Sequence, residues 1–157
     1  MNEVRFVLNG EETVSKADAT SRLLDILRHD YGLFGSKEGC GEGECGGCAI
    51  LLDHKIVNSC VTPLGNVHGR DVVTIEGLSE TLRGKVIREA YASHGAVQCG
   101  ICTPGMIIAT ESLLNSNPKP TEAEIRVGLS GNLCRCTGYN MIVNAVQYLV
   151  EEEGDLW

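Results

Sequence analysis

No stretch of this sequence approaches the roughly 18 consecutive apolar residues that a membrane-spanning helix needs, so no span is expected. The opening residues, Met1-Asn2-Glu3-Val4-Arg5, have neither the basic segment nor the apolar core of a secretory signal, which points to a cytoplasmic location. Basic residues are outnumbered, 13 Lys and Arg against 21 Asp and Glu, for a net charge of −8. A chain this acidic is not expected to bind nucleic acid, whose phosphates demand the opposite charge. Internal repeats, low-complexity tracts, a phosphate loop, a nucleophile with its base and paired catalytic carboxylates are likewise missing. The chain is therefore not expected to perform bond chemistry by itself. Hydrophobic residues at 43% and charged residues at 22% are those of a globular protein.

Glycine and cysteine are in excess. There are 19 glycines in 157 residues, about 12% where roughly 7% is usual. There are eight cysteines, and cytosolic chains rarely keep structural disulfides, so these thiols are expected to hold metal or to do redox chemistry.

The chain divides into two halves. Val4, Phe6 and Leu8 alternate with Arg5 and Asn9 as a half-buried strand, Asn9-Gly10 is a hairpin turn, and Glu11–Ser15 returns. Leu23, Leu24, Leu27 and Tyr31 have helical spacing, with a cap expected within Asp18–Ser21 and Gly32 ending the helix. Ala49–Leu52 and Lys55–Asn58 read as strands joined at Asp53-His54, and Asp71–Ile75 as a last strand. Beyond Gly77 the pattern turns helical. Val86, Ile87, Ala90 and Tyr91 share a face. Thr103 is expected to cap a helix with Pro104 at its first position, and Thr121 to Glu124 is a capping box. Ile142, Val143, Val146, Leu149 and Val150 mark a final helix. The expected division is 1–76 and 77–157. Units of that size bury little surface and often need a metal or disulfide. Each half contains four cysteines.

Cys40, Cys45 and Cys48 have the C-x4-C-x2-C spacing of plant-type [2Fe–2S] proteins, and Cys60 follows. Cys48 and Cys60 lie symmetrically about His54, so a hairpin turning there brings them to one end. The loop is rich in glycine (Gly35, Gly39, Gly41, Gly43, Gly46, Gly47), which permits positive φ and lets backbone N–H groups point at an anionic cluster. A structural zinc ion prefers C-x2-C knuckles and fits the x4 gap poorly; a disulfide set is the other alternative.

Cys99 and Cys102 form a C-x2-C before the Pro104 helix, and Cys134 and Cys136 a C-x-C before the last helix. Comparable path lengths out and back allow the two pairs to meet at one end of a helical bundle. Two helix N-termini would then face the thiols and favour a reduced, more negative cluster. A thioredoxin-like dithiol or half a zinc knuckle would also contain C-x2-C, although the former belongs beside a βαβ unit.

Three long motifs in this order resemble the iron–sulfur subunit of the molybdenum hydroxylases, whose members include xanthine dehydrogenase, aldehyde oxidoreductase, carbon monoxide dehydrogenase and nicotinate dehydrogenase. They are Gly39 to Cys48, Gln98 to Met106, and Gly131 to Tyr139. The likeness extends over nearly the whole chain; the Asp53-His54 turn departs from the family's Asp-Gly. The resemblance implies an α+β protein with a β-grasp plant-type ferredoxin domain followed by a four-helix bundle. It implies two [2Fe–2S] clusters, one on Cys40, Cys45, Cys48 and Cys60, the other on Cys99, Cys102, Cys134 and Cys136. The second would lie nearest a molybdopterin, which Gln98 and the backbone at Cys136 would contact. Electrons would pass through this cluster to the first and on to FAD, with molybdopterin and FAD on partner subunits. The chain length is similar to that of small subunits of nicotinate- or xanthine-type enzymes, which implies a substrate of that kind. The competing readings are a free-standing ferredoxin-like carrier and a zinc-stabilised adaptor.

Outside these motifs, His29, His54, His68 and His94 form no ligand pattern. Lys37-Glu38 is expected to be solvated, and Glu151 to Trp157 to fray.

Overall fold

A computed structural model describes residues 3–157. The first half is a five-stranded sheet of β1 (Val4–Leu8), β2 (Glu11–Ser15), β3 (Ala49–Leu52), β4 (Lys55–Asn58) and β5 (Asp71–Val73), in the order β2-β1-β5-β3-β4. Only β1 and β5 run parallel; the other pairs are antiparallel. The β1–β2 turn places Asn9 and Gly10 at φ 52° and 87°, and the β3–β4 turn places Asp53 and His54 at 47° and 65°. Both are left-handed at two successive residues, the geometry that matches strand twist in a two-residue hairpin. His54 thus occupies the position where glycine would be unstrained.

Helix α1 (Leu23–Asp25) continues into a π-helical turn, Ile26–Asp30. Its N-cap is Arg22, without a side-chain cap bond, rather than a residue of Asp18–Ser21. Asp18 is committed elsewhere: its Oδ1 accepts from the Thr20 N–H at 2.8 Å and the Thr20 hydroxyl at 2.7 Å. Local side-chain to backbone bonds of this kind compete with helix capping.

Strand β5 ends at Val73, two residues short of the expected extent. Ile75 instead opens α2 (Ile75–Glu80), with Thr74 as N-cap. The Thr74 N–H is taken by Asn9 Oδ1 at 2.8 Å, so it has no sheet partner. Four longer packing elements follow: α3 (Leu82–Ser93), α4 (Thr103–Ser116), α5 (Glu122–Gly128) and α6 (Asn140–Glu152). They form the helical bundle. The Thr121–Glu124 capping box starts α5, with both of its reciprocal bonds present. The N-cap of α4 is Cys102, one residue earlier than Thr103, which moves Thr103 into the first turn beside Pro104.

Strand β3 joins the halves because its four residues are all apolar and all buried. Alternation sends Ile50 and Leu52 into the sheet core with Val4, Phe6, Leu23, Leu27 and Val72. It sends Ala49 and Leu51 into the helical core with Ile87, Met106, Ile108 and Ile142. A strand buried on both faces must read as a continuous apolar run, and this one does. Helix α4 plays the matching part in the bundle: Met106, Ile107, Ile108, Ala109, Thr110 and Glu111 are buried in succession. A helix apolar around most of its circumference lies in the centre. The Thr110 hydroxyl there is 2.8 Å from the buried Tyr91 hydroxyl.

The C-terminal segment does not fray. Trp157 Nε1 donates to Glu111 Oε2 at 2.8 Å, and Arg83 Nε donates to the Leu156 carbonyl at 2.7 Å. Among the described residues no helix is long and apolar enough to cross a membrane.

Candidate cluster sites

Residues 35–48 contain no helix and no strand, so their shape is set by bonds across the loop and to other elements. The Gly35 N–H donates to Glu76 Oε1 at 2.7 Å, which ties the loop entrance to α2. Lys37 N–H donates to the Gly47 carbonyl at 2.9 Å and closes the loop on itself. Lys37 and Glu38 are not merely solvated: Lys37 Nζ donates to the Phe34 carbonyl at 2.7 Å, and Glu38 accepts from Arg22 at 2.8 Å.

Within this loop the N–H groups of Glu42 and Glu44 converge on Cys40 Sγ at 3.4 and 3.3 Å. These bonds hold the Cys40 thiol down to about 7 from its usual 9. The Cys45 thiol lies beside it. A Cβ at Gly39 would sit 2.8 Å from Cys45 Sγ, so a larger residue there would displace that thiol. Cys48 ends the loop at β3, and Cys60 sits in the 3-10 turn Ser59–Val61 after β4. The β3–β4 register pairs Ala49 with Asn58 and Leu52 with Lys55, so the hairpin axis passes between Asp53 and His54. Ser59, whose N–H donates to the Cys48 carbonyl at 3.3 Å, is therefore opposite Cys48, and Cys60 is one residue further on. The two thiols still meet, packed under Leu24. Burial pushes the Cys60 thiol up to about 11, and the adjacent Cys48 thiol adds to the shift.

The other four cysteines collect where the loops before α4 and α6 come together. Cys136 Sγ and Cys99 Sγ are 3.4 Å apart, both exposed. Cys102 and Cys134 form the inner pair. Burial raises the Cys102 thiol to about 12, with the Cys134 thiol contributing. Burial also pushes Cys134 up, but the Thr137 hydroxyl and N–H outweigh it and bring this thiol to about 7. Cys99 is lowered, chiefly by the Ile101 N–H.

In both places the thiols are arranged as two pairs, Cys40/Cys45 with Cys48/Cys60 and Cys99/Cys136 with Cys102/Cys134. The donor chemistry suits a two-iron cluster, which takes four thiolates, two to each iron, and welcomes N–H donors aimed at sulfur. Metal ligation needs thiolates. At least one thiol of each set is lowered, Cys40 in the first and Cys99 and Cys134 in the second, while burial raises another in each, Cys60 and Cys102.

Gln98 is exposed and directly precedes Cys99, whose exposed thiol is 3.4 Å from that of Cys136. It does not cap α4, whose N-cap is Cys102. Four residues to which the sequence assigned no role stand out around the sites: Gly105, Asn132, Thr137 and Tyr139. All lie inside the three motifs, but only their spatial partners reveal what they do.

Comparison with known proteins assigns both halves. Residues 6–72 match the 2Fe-2S iron-sulfur cluster binding domain, and residues 74–147 match the [2Fe-2S] binding domain. The chain is 46% identical to the nicotinate dehydrogenase small FeS subunit of Eubacterium barkeri over 94% of each chain. It is 42% identical to a probable xanthine dehydrogenase subunit of Bacillus subtilis, over 91% of this chain and 82% of that one. Its fold superposes on a chain of quinoline 2-oxidoreductase from Pseudomonas putida 86 with a TM-score of 0.91 at 38% identity, covering 98% and 96% of the two chains. With two cluster-binding domains in this order, the chain belongs to the family of non-catalytic, electron-transferring [2Fe–2S] small subunits of the molybdenum hydroxylases, the oxidoreductases to which nicotinate and xanthine dehydrogenases belong.

Proposed function

We propose that this chain links a molybdopterin-binding subunit to a FAD-binding subunit in a cytoplasmic enzyme that hydroxylates a nicotinate- or xanthine-type heterocycle. Cys40, Cys45, Cys48 and Cys60 hold one [2Fe–2S] cluster in residues 1–76, and Cys99, Cys102, Cys134 and Cys136 hold the other in residues 77–157. When bound, each cluster takes up and releases one electron at a time. The chain's own residues fix the ligands, supply N–H donors and exclude water from the inner thiols.

The observation that carries this reading is the asymmetry of exposure. Each set has an inner pair and at least one thiol at the surface: Cys40 in one, Cys99 and Cys136 in the other. Each site therefore presents a side to a partner. Gln98 lies on the second of these faces with both amide functions free to meet a ring edge of mixed donors and acceptors. That face is proposed to meet the molybdopterin, through Gln98 and the backbone at Cys136, and the Cys40 face the FAD subunit.

The test is anaerobic purification of the native protein by size exclusion, followed by addition of nicotinate, xanthine and related heterocycles. Co-elution with molybdenum and flavin, and bleaching of the visible absorbance by one of the heterocycles, are expected. A small coloured protein eluting alone would favour a free carrier, and a colourless zinc protein an adaptor.

A further inference from the structure

Between Cys134 and Tyr139 three hydrogen bonds form a closed ring. The Cys134 N–H donates to the Tyr139 hydroxyl oxygen at 2.9 Å. The Tyr139 N–H donates to Thr137 Oγ1 at 3.2 Å. Thr137 Oγ1 lies 3.1 Å from Cys134 Sγ, to which its hydroxyl donates. Each bond sets up the next. Tyr139 caps α6 from the left-handed region, at φ 68°, an unusual conformation for a bulky side chain. From that conformation its N–H reaches Thr137 and its hydroxyl reaches the Cys134 N–H. A threonine hydroxyl has one proton to give. With the Tyr139 N–H occupying an acceptor position on Oγ1, that proton is directed at the sulfur.

Resting on the ligand assignment proposed above, we infer that the Thr137 hydroxyl is a potential-setting group for the second cluster, acting through Cys134, with Tyr139 as its positioning residue. Reduction transfers one electron to the cluster and makes its sulfurs more negative; no bond breaks and no proton moves. A donor to a ligand sulfur is more stabilising after that electron arrives than before, so it raises the reduction potential. The arrangement favours the second cluster as electron acceptor. Both sites receive backbone donors, from Glu42 and Glu44 at Cys40 and from Thr137 and Ile101 at Cys134 and Cys99, which no side-chain truncation can remove; the Thr137 hydroxyl is a donor that truncation does remove.

The experiment compares wild-type protein with Thr137→Val, Thr137→Ala and Thr137→Ser, all loaded with iron and sulfide. Each is titrated by redox potentiometry with electron paramagnetic resonance detection. The second cluster is identified as the signal that survives Cys45→Ser, and the other signal is the internal control. Thr137→Val and Thr137→Ala should lower the midpoint of the second cluster by about tenfold in its one-electron equilibrium, about 59 mV. Iron content and the control signal should not change, and Thr137→Ser should restore the wild-type value. Unchanged midpoints with a full iron complement would overturn the inference and leave the ligand assignment standing. Loss of the second cluster from both Val and Ala variants, but not from Ser, would make the hydroxyl a positioning group and overturn its tuning role. Wild-type protein without iron at the second site would overturn the ligand assignment itself.

Discussion

Asn132 and Gly46 are 86 residues apart in the chain, and the Asn132 side-chain amide donates to the Gly46 carbonyl at 2.9 Å in a buried position. Next to this bond, the Leu133 N–H donates to the Cys45 carbonyl at 2.9 Å. Cys45 belongs to one thiol set, and Leu133 directly precedes Cys134 of the other. The loops that carry the two sets are therefore bonded to each other, backbone to backbone, across the junction of the halves. Gly105, in the first turn of α4, makes the approach possible: a Cβ there would collide with the Gly46 carbonyl oxygen.

Gly105→Ala should therefore destabilise the iron-loaded protein by about 1–3 kcal/mol, the usual cost of forcing atoms into a packed site. Asn132→Ala should cost about 1 kcal/mol, at the low end for a lost buried partner, because the Gly46 carbonyl still accepts from the Ala49 N–H at 3.2 Å. Anaerobic denaturant unfolding measures both. Wild-type stability in both variants would mean that the seam does not hold the halves together.

Metal content follows from two sets of four thiols. The purified chain should contain about four iron and four acid-labile sulfide, with little zinc. Elemental analysis with a sulfide assay decides it, and stoichiometric zinc without sulfide would rule out the cluster reading.

Cys45→Ser separates the two sites. The Cys45 backbone carbonyl, which bonds Leu133, is untouched by the substitution, so the second site should keep its shape. The electron paramagnetic resonance spectrum of the dithionite-reduced variant should lose or alter one signal and retain the other. Two signals of native form would show that Cys45 is not a ligand.

Sequence reading was most successful where chemistry is local. The Asn9-Gly10 turn, the Thr121 capping box and the continuous apolar strand Ala49–Leu52 each depend on residues within a few positions of one another. The C-x4-C-x2-C spacing is local too, and the domain it pointed to is the one matched over residues 6–72. Errors arose where a distant or competing partner decides the outcome. β5 stops short because Asn9 takes the Thr74 N–H, and α1 lacks an Asp18 cap because that carboxylate is bound to Thr20. Trp157 is fixed by Glu111, 46 residues away, so a tail that looks free is fastened. Asn132, Thr137 and Tyr139 carried no signal beyond membership in a motif. Asn132 takes its role from Gly46, 86 residues away; Thr137 and Tyr139 bond within the short segment Cys134–Tyr139, in a non-regular loop whose shape no periodicity announces.

Gln98 provides the sharpest test of the partner arrangement. Its side chain is exposed beside Cys99, and Cys102 rather than Gln98 caps α4, so the fold gives it no structural duty that a substitution would disturb. Gln98→Leu keeps the approximate volume and removes both the donor and the acceptor. Both clusters should assemble and reduce normally with dithionite, and thermal stability should match the wild type. In the assembled enzyme, a pterin group left without its partner loses about 1–3 kcal/mol. Substrate-driven reduction should then slow by roughly 5- to 150-fold, or molybdenum be partly lost. Assaying molybdenum content and substrate-driven bleaching in one preparation covers both outcomes. Normal values for both would show that the exposed amide beside Cys99 does not meet the pterin, and the face presented to the molybdopterin subunit would have to be sought elsewhere on the chain.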